Sequence, residues 1–190
     1  MNDIAELNRL VENLIRLGTI AEVQFSPPRV KVSTGGIMTT WLPWISPRAG
    51  ADQVWDPPTA GEQVLLFSPS GQLANGVAVT GLFSDKIPAN GDRTGLYRRT
   101  FADGAVIEYD SEGHHLSAVL PEGGTTSLIS KGGIHFEGPI THIGDYTQTG
   151  NQTVTGEVNV SVDVVAAGIS LVEHTHGGVM TGPGSTGVPQ

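Results

Sequence analysis

The chain has 190 residues, of which 26 are Gly, 12 are Pro and none is Cys, with a formal net charge of −9. Only 15% of residues are charged, where about 25% is ordinary, so the composition excludes a helix-rich fold and favours short strands joined by tight turns. The lack of cysteine removes disulfides and thiolate metal sites, and no apolar run reaches the length of about 18 residues that a membrane helix needs.

The first residues, Met1-Asn2-Asp3-Ile4-Ala5-Glu6, lack the basic stretch and apolar core of a signal peptide, so synthesis in the cytoplasm is expected. Residues 2–17, within a segment 1–18, read as a helix. Asn2 or Asp3 can cap it, Ile4, Leu7, Val11 and Leu14 recur at steps of three and four, and Gly18 stands where a helix would stop. The stripe is also a two-heptad seam. It fits a neighbouring copy or a docking partner, or the chain's own domain.

From Thr19 the pattern changes to five β-rich runs, Thr19–Phe25, Arg29–Thr34, Met38–Ile45, Gln63–Phe67 and Val77–Phe83, broken by Ser26-Pro27-Pro28, Gly35-Gly36, a long Ser46–Gly61 loop and Ser68-Pro69-Ser70-Gly71. Five short strands in this space predict a small OB-type barrel over 19–85. Trp41, Trp44 and Trp55 all fall there, with core or interface packing as their expected use. Residues 86–95 read as a linker, and 96–131 as a β-meander or set of hairpins cut by Asp103-Gly104 and Ser111-Glu112-Gly113.

A repeat follows. Gly132, Gly138, Gly144, Gly150, Gly156 and Gly168 lie on a six-residue grid that only Val162 interrupts, with Ile134, Phe136, Ile140, Val154, Val158, Val160 and Val164 among the β-formers between them. Such a grid marks a fibrous β-architecture. One copy of 132–171 buries too little to offset ordering costs of about 1–2 kcal/mol per residue and leaves its strand edges open. Three identical chains wound about one axis solve both difficulties. The expected fold is therefore all-β, with a short N-terminal helix, an OB-type barrel and a homotrimeric intertwined β-helix.

Charge is divided unevenly. Residues 1–110 hold nine Lys or Arg and twelve Asp or Glu, whereas 111–190 hold seven acids and a single cation, Lys131. A nucleic-acid binder needs cations to displace phosphate counterions, so nucleic acid is not an expected partner. The acids after Lys131 (Glu137, Asp145, Glu157, Asp163 and Glu173) read as a solvated surface that favours solubility and repels anionic lipopolysaccharide.

Within the apex segment 172–190 stands Glu173-His174-Thr175-His176-Gly177. In a strand, residues i and i+2 face the same side, so His174 and His176 project together. On a three-fold axis the pairs from three chains present six imidazole nitrogens, an octahedral donor set that suits iron or nickel better than four-coordinate zinc. Saturated in this way, the ion leaves no position for a substrate and is structural. His114, His115, His135 and His142 read as surface or core-edge residues, and Asp110 with Glu112 as solvated turn charges. No nucleophile triad, phosphate loop or zinc-hydrolase motif appears, so an enzyme is not expected.

In this order the helix, Asp56-Pro57-Pro58-Thr59-Ala60-Gly61-Glu62-Gln63-Val64 followed by Ser68-Pro69-Ser70-Gly71, the Gly/Val repeat and His174-Thr175-His176 before a Gly-rich end make the chain similar to a known family. It resembles the phage baseplate assembly protein V family, the central spike of contractile-tailed phages and R-type pyocins. The resemblance implies a trimeric membrane-piercing needle in a virion or pyocin tail baseplate, with a hub protein at its N-terminal end and the bacterial outer membrane at its apex. It also implies one iron ion per trimer, held by His174 and His176 of three chains. Two other readings share parts of the pattern: a type VI secretion-like spike, and a receptor- or carbohydrate-binding trimeric fibre. The fibre wants exposed aromatics along the shaft, where after Phe101 only Tyr109, Phe136 and Tyr146 occur.

Overall fold

The computed structural model describes residues 2–175, 178 and 182, and divides into two units between Ile129 and Ser130. The first unit begins with helix α1, Asn2–Asn13, followed almost at once by strand β1, Ile15–Phe25. The helix is shorter than its apolar spacing predicts. Ile15 to Thr19 are taken into an antiparallel ladder with Phe67 to Gln63 of strand β4 (Gln63–Phe67), and backbone bonds to a buried strand outweigh weak helix propensity. Gly18 is accordingly no helix stop. It lies buried inside β1, where a Cβ would sit 2.4 Å from Val32 Cγ1 of the neighbouring strand.

α1 rests on its own unit along one side only. A Cβ on Gly71 would lie 2.1 Å from the Leu10 carbonyl oxygen, so the short 3-10 turn Pro69–Gly71 meets the helix through a residue without a side chain. Asn13 is buried and accepts from Arg16 Nη1 at 3.0 Å, while Arg16 Nε donates to Thr34 Oγ1 at 3.1 Å. The stripe predicted for packing faces elsewhere: Ile4 is 70% exposed, Leu7 59% and Val11 57%. Within one chain, then, it does not cover its own domain.

Strands β2 (Pro28–Thr34), β3 (Ile37–Met38) and β5 (Val77–Leu82) complete a five-stranded antiparallel sheet in the order β3-β2-β1-β4-β5. The run Met38–Ile45 is not the regular strand that the sequence predicts. Pro43 lacks an N–H and Ser46-Pro47 follows, so beyond β3 the segment makes only isolated bridges. Those bridges close the barrel: Leu42 exchanges two 2.8 Å backbone bonds with Val30, and Ala78 bonds both Pro43 and Ile45. Ile20, Val30, Val32, Val64 and Ala78 fill the interior, with Val23 and Trp44 packed against them. Each large side chain so buried contributes about 1.5–3 kcal/mol, which is why the alternation of β1, β2 and β4 fixes their register.

A three-stranded meander, β6 (Leu96–Thr100), β7 (Val106–Asp110) and β8 (His115–Val119), follows in the same unit. Arg98 pairs with Glu108 directly across β6 and β7, and Arg99 Nη2 reaches Asp56 at 2.7 Å. Arg93 and the turn N–H groups of Gly113 and Glu112 hold the Asp110 carboxyl down to about 2. The second unit differs throughout. From Ser130 to Val164 the described chain forms no strand. Gly138, Gly144, Gly150 and Gly156 nonetheless carry φ of 120°, 116°, 120° and 142°, so the six-residue spacing of the sequence recurs as a backbone conformation that side chains disfavour.

Candidate functional site

Strands β9 (Val165–Ala166) and β10 (Ile169–Ser170) form a minimal hairpin, turned by Ala167 at φ 50° and Gly168 at φ 82°. Positive φ at both central residues is the geometry that matches strand twist in a two-residue loop. A further bond, from Leu171 N–H to the Val164 carbonyl at 3.0 Å, extends the pairing towards His174.

His174 follows within one turn of chain. Its Nδ1 lies 2.9 Å from the Ser170 carbonyl oxygen and 3.1 Å from that of Leu171. Carbonyls only accept, so Nδ1 carries a proton and Nε2 is the ring atom left to act as a ligand. A ring nitrogen donating to backbone carbonyl is the usual support of a metal-ligating imidazole, so the donor chemistry at His174 fits the implied ion. His176, the other predicted ligand, lies outside the described residues. Among the described residues no three His, Cys, Asp or Glu side chains converge.

The remaining predicted residues have separate places. His114 sits in the turn between β7 and β8 at φ 52° and His115 opens β8, so the two do not share a strand. His142 meets Tyr146 edge-on at 5.8 Å. Asp110 organises its turn, accepting from Arg93 Nη2 at 2.6 Å and from the N–H groups of Glu112 and Gly113. On the barrel, Trp55 contacts both Trp44 and Phe25, with ring centroids 6.0 and 6.3 Å apart, beside a groove of about 300 Å³ lined by Pro28, Pro43 and Val54. Counting Asp163 as a surface charge misses a network. It accepts from Val164 and Val172 N–H and shares the Val172 donor with the Ser170 hydroxyl oxygen, and the only signal in the sequence is an Asp and a Ser bracketing Ala167-Gly168.

Residues 16–83 match the family described as the type VI secretion system/phage-baseplate injector OB domain, and residues 168–190 match the GpV Apex motif. The spike protein of Escherichia phage P2 is 37% identical over 131 residues, an alignment covering 69% of this chain and 61% of that protein. The chain is similar to phage baseplate spike proteins through its OB domain and its Apex motif. The barrel strands β1–β5 run from Ile15 to Leu82 and so coincide with the OB match to within one residue, and the Apex match contains both His174 and His176. The chain is mostly β with one N-terminal helix, and among its described residues no helix is long and apolar enough to cross a membrane.

Proposed function

We propose that the chain is the central spike of a contractile tail, acting as an intertwined homotrimer that pierces the outer membrane of the target cell when the sheath contracts. One observation carries this reading. The second unit repeats a glycine conformation every six residues yet keeps its β-formers in solvent, with Ile143 93% exposed, Val162 83% and Val158 67%. Apolar exposure on this scale marks an interaction surface. Three copies wound as a triple-stranded β-helix over 132–171 cover it, pair the open edges and make a stiff shaft. The shaft then works by shape, concentrating the force of contraction on a small area.

At the apex, His174 and His176 of three copies would supply six imidazole nitrogens to one iron, with nickel or zinc as lesser fits. The protonated Nδ1 of His174 supports the assignment of Nε2 as its ligand atom. Bound iron would tie three chain ends at one point. At the opposite end of the sequence, the exposed stripe of α1 suits either the baseplate hub or the other copies. A type VI role shares the OB match, but the Apex match and the P2 relative favour the phage or pyocin assembly.

The test joins mass and metal. Light scattering after size exclusion is expected to give three times 19.9 kDa, with close to one iron per three chains. His174→Ala should lose the iron and remain trimeric. A monomeric mass at micromolar concentration would end the intertwined shaft, and full iron in His174→Ala would end the histidine site.

A further inference from the structure

After Leu120, every described residue but two is exposed: Asp163 and Ser170 alone are partly covered. They lie seven residues apart, Asp163 just before the β9–β10 hairpin and Ser170 at its end, and both side chains accept from the Val172 N–H. We propose that Asp163 and Ser170 are a positioning pair for His174, closing the hairpin into a buckle that sets the ring's tautomer and presents Nε2 to the apex metal. The inference rests on the iron reading above and adds to it the residues that hold the ligand in place.

The hydrogen bonds are complete at each joint. Asp163 Oδ1 accepts from Val164 N–H at 2.8 Å and from Val172 N–H at 3.2 Å, which ties the start of the hairpin to the chain leaving it. The Ser170 hydroxyl oxygen accepts from the same Val172 N–H at 3.1 Å and from Glu173 N–H at 2.8 Å, so Asp163 and Ser170 share the Val172 donor. The turn Ser170–Glu173 is thereby fixed from within. Its two carbonyls, Ser170 and Leu171, are the ones that receive His174 Nδ1–H. The path from Asp163 to the imidazole thus runs through the shared Val172 N–H and one turn, with no contact between Asp163 and the ring required.

Neither residue touches the ion, so both act through His174. Removing such a support typically weakens metal binding by about 10–100-fold while leaving the ligands in place. The shaft is held elsewhere and should not respond.

The experiment uses the full-length protein in four forms: wild type, Ser170→Ala, Asp163→Ala and the conservative Ser170→Thr, with Glu157→Ala as an exposed control. Iron release into an excess of chelator should quicken by about 10–100-fold in the two Ala variants of the pair, with trimer mass unchanged. Ser170→Thr keeps the hydroxyl and should release iron as the wild type does. In chelator-stripped protein, nitrogen NMR of labelled histidine should show His174 protonated at Nδ1 in wild type and Ser170→Thr, and redistributed in the Ala variants. Wild-type release rates with an unchanged tautomer would overturn the proposal. Loss of the trimer in Ser170→Ala would also overturn it, by making the pair part of the scaffold alone. A wild-type trimer without iron overturns the metal reading instead, and the tautomer measurement still decides whether the pair sets the ring.

Discussion

Valine is used to opposite ends in the two units of this chain. In the first, Val30, Val32 and Val64 are fully buried between strands that the same chain supplies. In the second, Val158, Val160 and Val162 are 67%, 49% and 83% exposed, and the described residues around them form no ladder. β-branched residues favour strands in both places, but propensity alone makes no core. What separates the units is spacing. Ile20, Val30, Val32 and Val64 alternate on strands long enough to pair within one chain, whereas a glycine every six residues interrupts each shaft segment before it can fold back on a neighbour. The barrel is specified by contacts within the chain, and in the proposed trimer the shaft takes its contacts from the other copies.

The comparison breaks most sharply on a core substitution. Leu66 is completely buried, and Leu66→Ala should cost about 2–5 kcal/mol, through lost burial and the cavity that remains. All three Trp lie between residues 41 and 55, so tryptophan emission reports on the barrel alone. Its denaturation midpoint should fall in Leu66→Ala while the trimer mass and the iron survive. If that substitution dissolves the trimer, the barrel and the shaft are one cooperative structure and are not independently specified.

Reading the sequence reaches the barrel well and the helix boundary less well, for physical reasons visible at single residues. Alternation in Arg29–Thr34 and Gln63–Phe67 identifies β2 and β4 because both bury every second side chain. Ile15 and Leu17 fit a helical stripe equally well, and only the presence of β4 beside them decides for strand. Gly18 reads as a helix stop, yet its role depends on Val32, which is close in space and distant in sequence. At the apex the His-X-His spacing is legible. The pair that supports His174 is not, since a surface Asp and a buckle Asp look alike until the hairpin between them is formed.

A smaller effect separates the turns of the first unit from the shaft by acid. Arg93, followed by the N–H groups of Gly113 and Glu112, lowers Asp110 from 3.8 to about 2. A carboxyl whose folded value is depressed stabilises the fold fully above its unfolded value and loses that contribution as the pH falls through the folded one. The meander should therefore loosen between about pH 4 and pH 2, with faster amide exchange at Glu112 and Gly113. Asp110→Asn should exchange faster already at neutral pH and show little change across that window. An unchanged pH profile in the variant would assign the acid sensitivity to another group.

The smallest expected change in stability tests what the shaft's charge is for. Lys131 is the last cation of the chain, and Glu137 and Glu157 are exposed acids beyond it. Exposed substitutions usually shift stability by less than about 0.5 kcal/mol, so a Glu137→Lys, Glu157→Lys protein should melt with the wild type and keep its mass. Its surface field changes far more than its fold. Anionic lipopolysaccharide repels a uniformly acidic shaft at low ionic strength, and at about 0.15 M salt the interaction is screened beyond about 8 Å. The double variant should accordingly adsorb to lipopolysaccharide vesicles at low salt, where the wild type stays in solution, and the difference should shrink as salt is added. Equal adsorption at low salt would reduce the acidic surface to a solubility device. A lower melting point would be more consequential, because it would place Glu137 or Glu157 in contacts between copies, on the side of the shaft assigned to its neighbours.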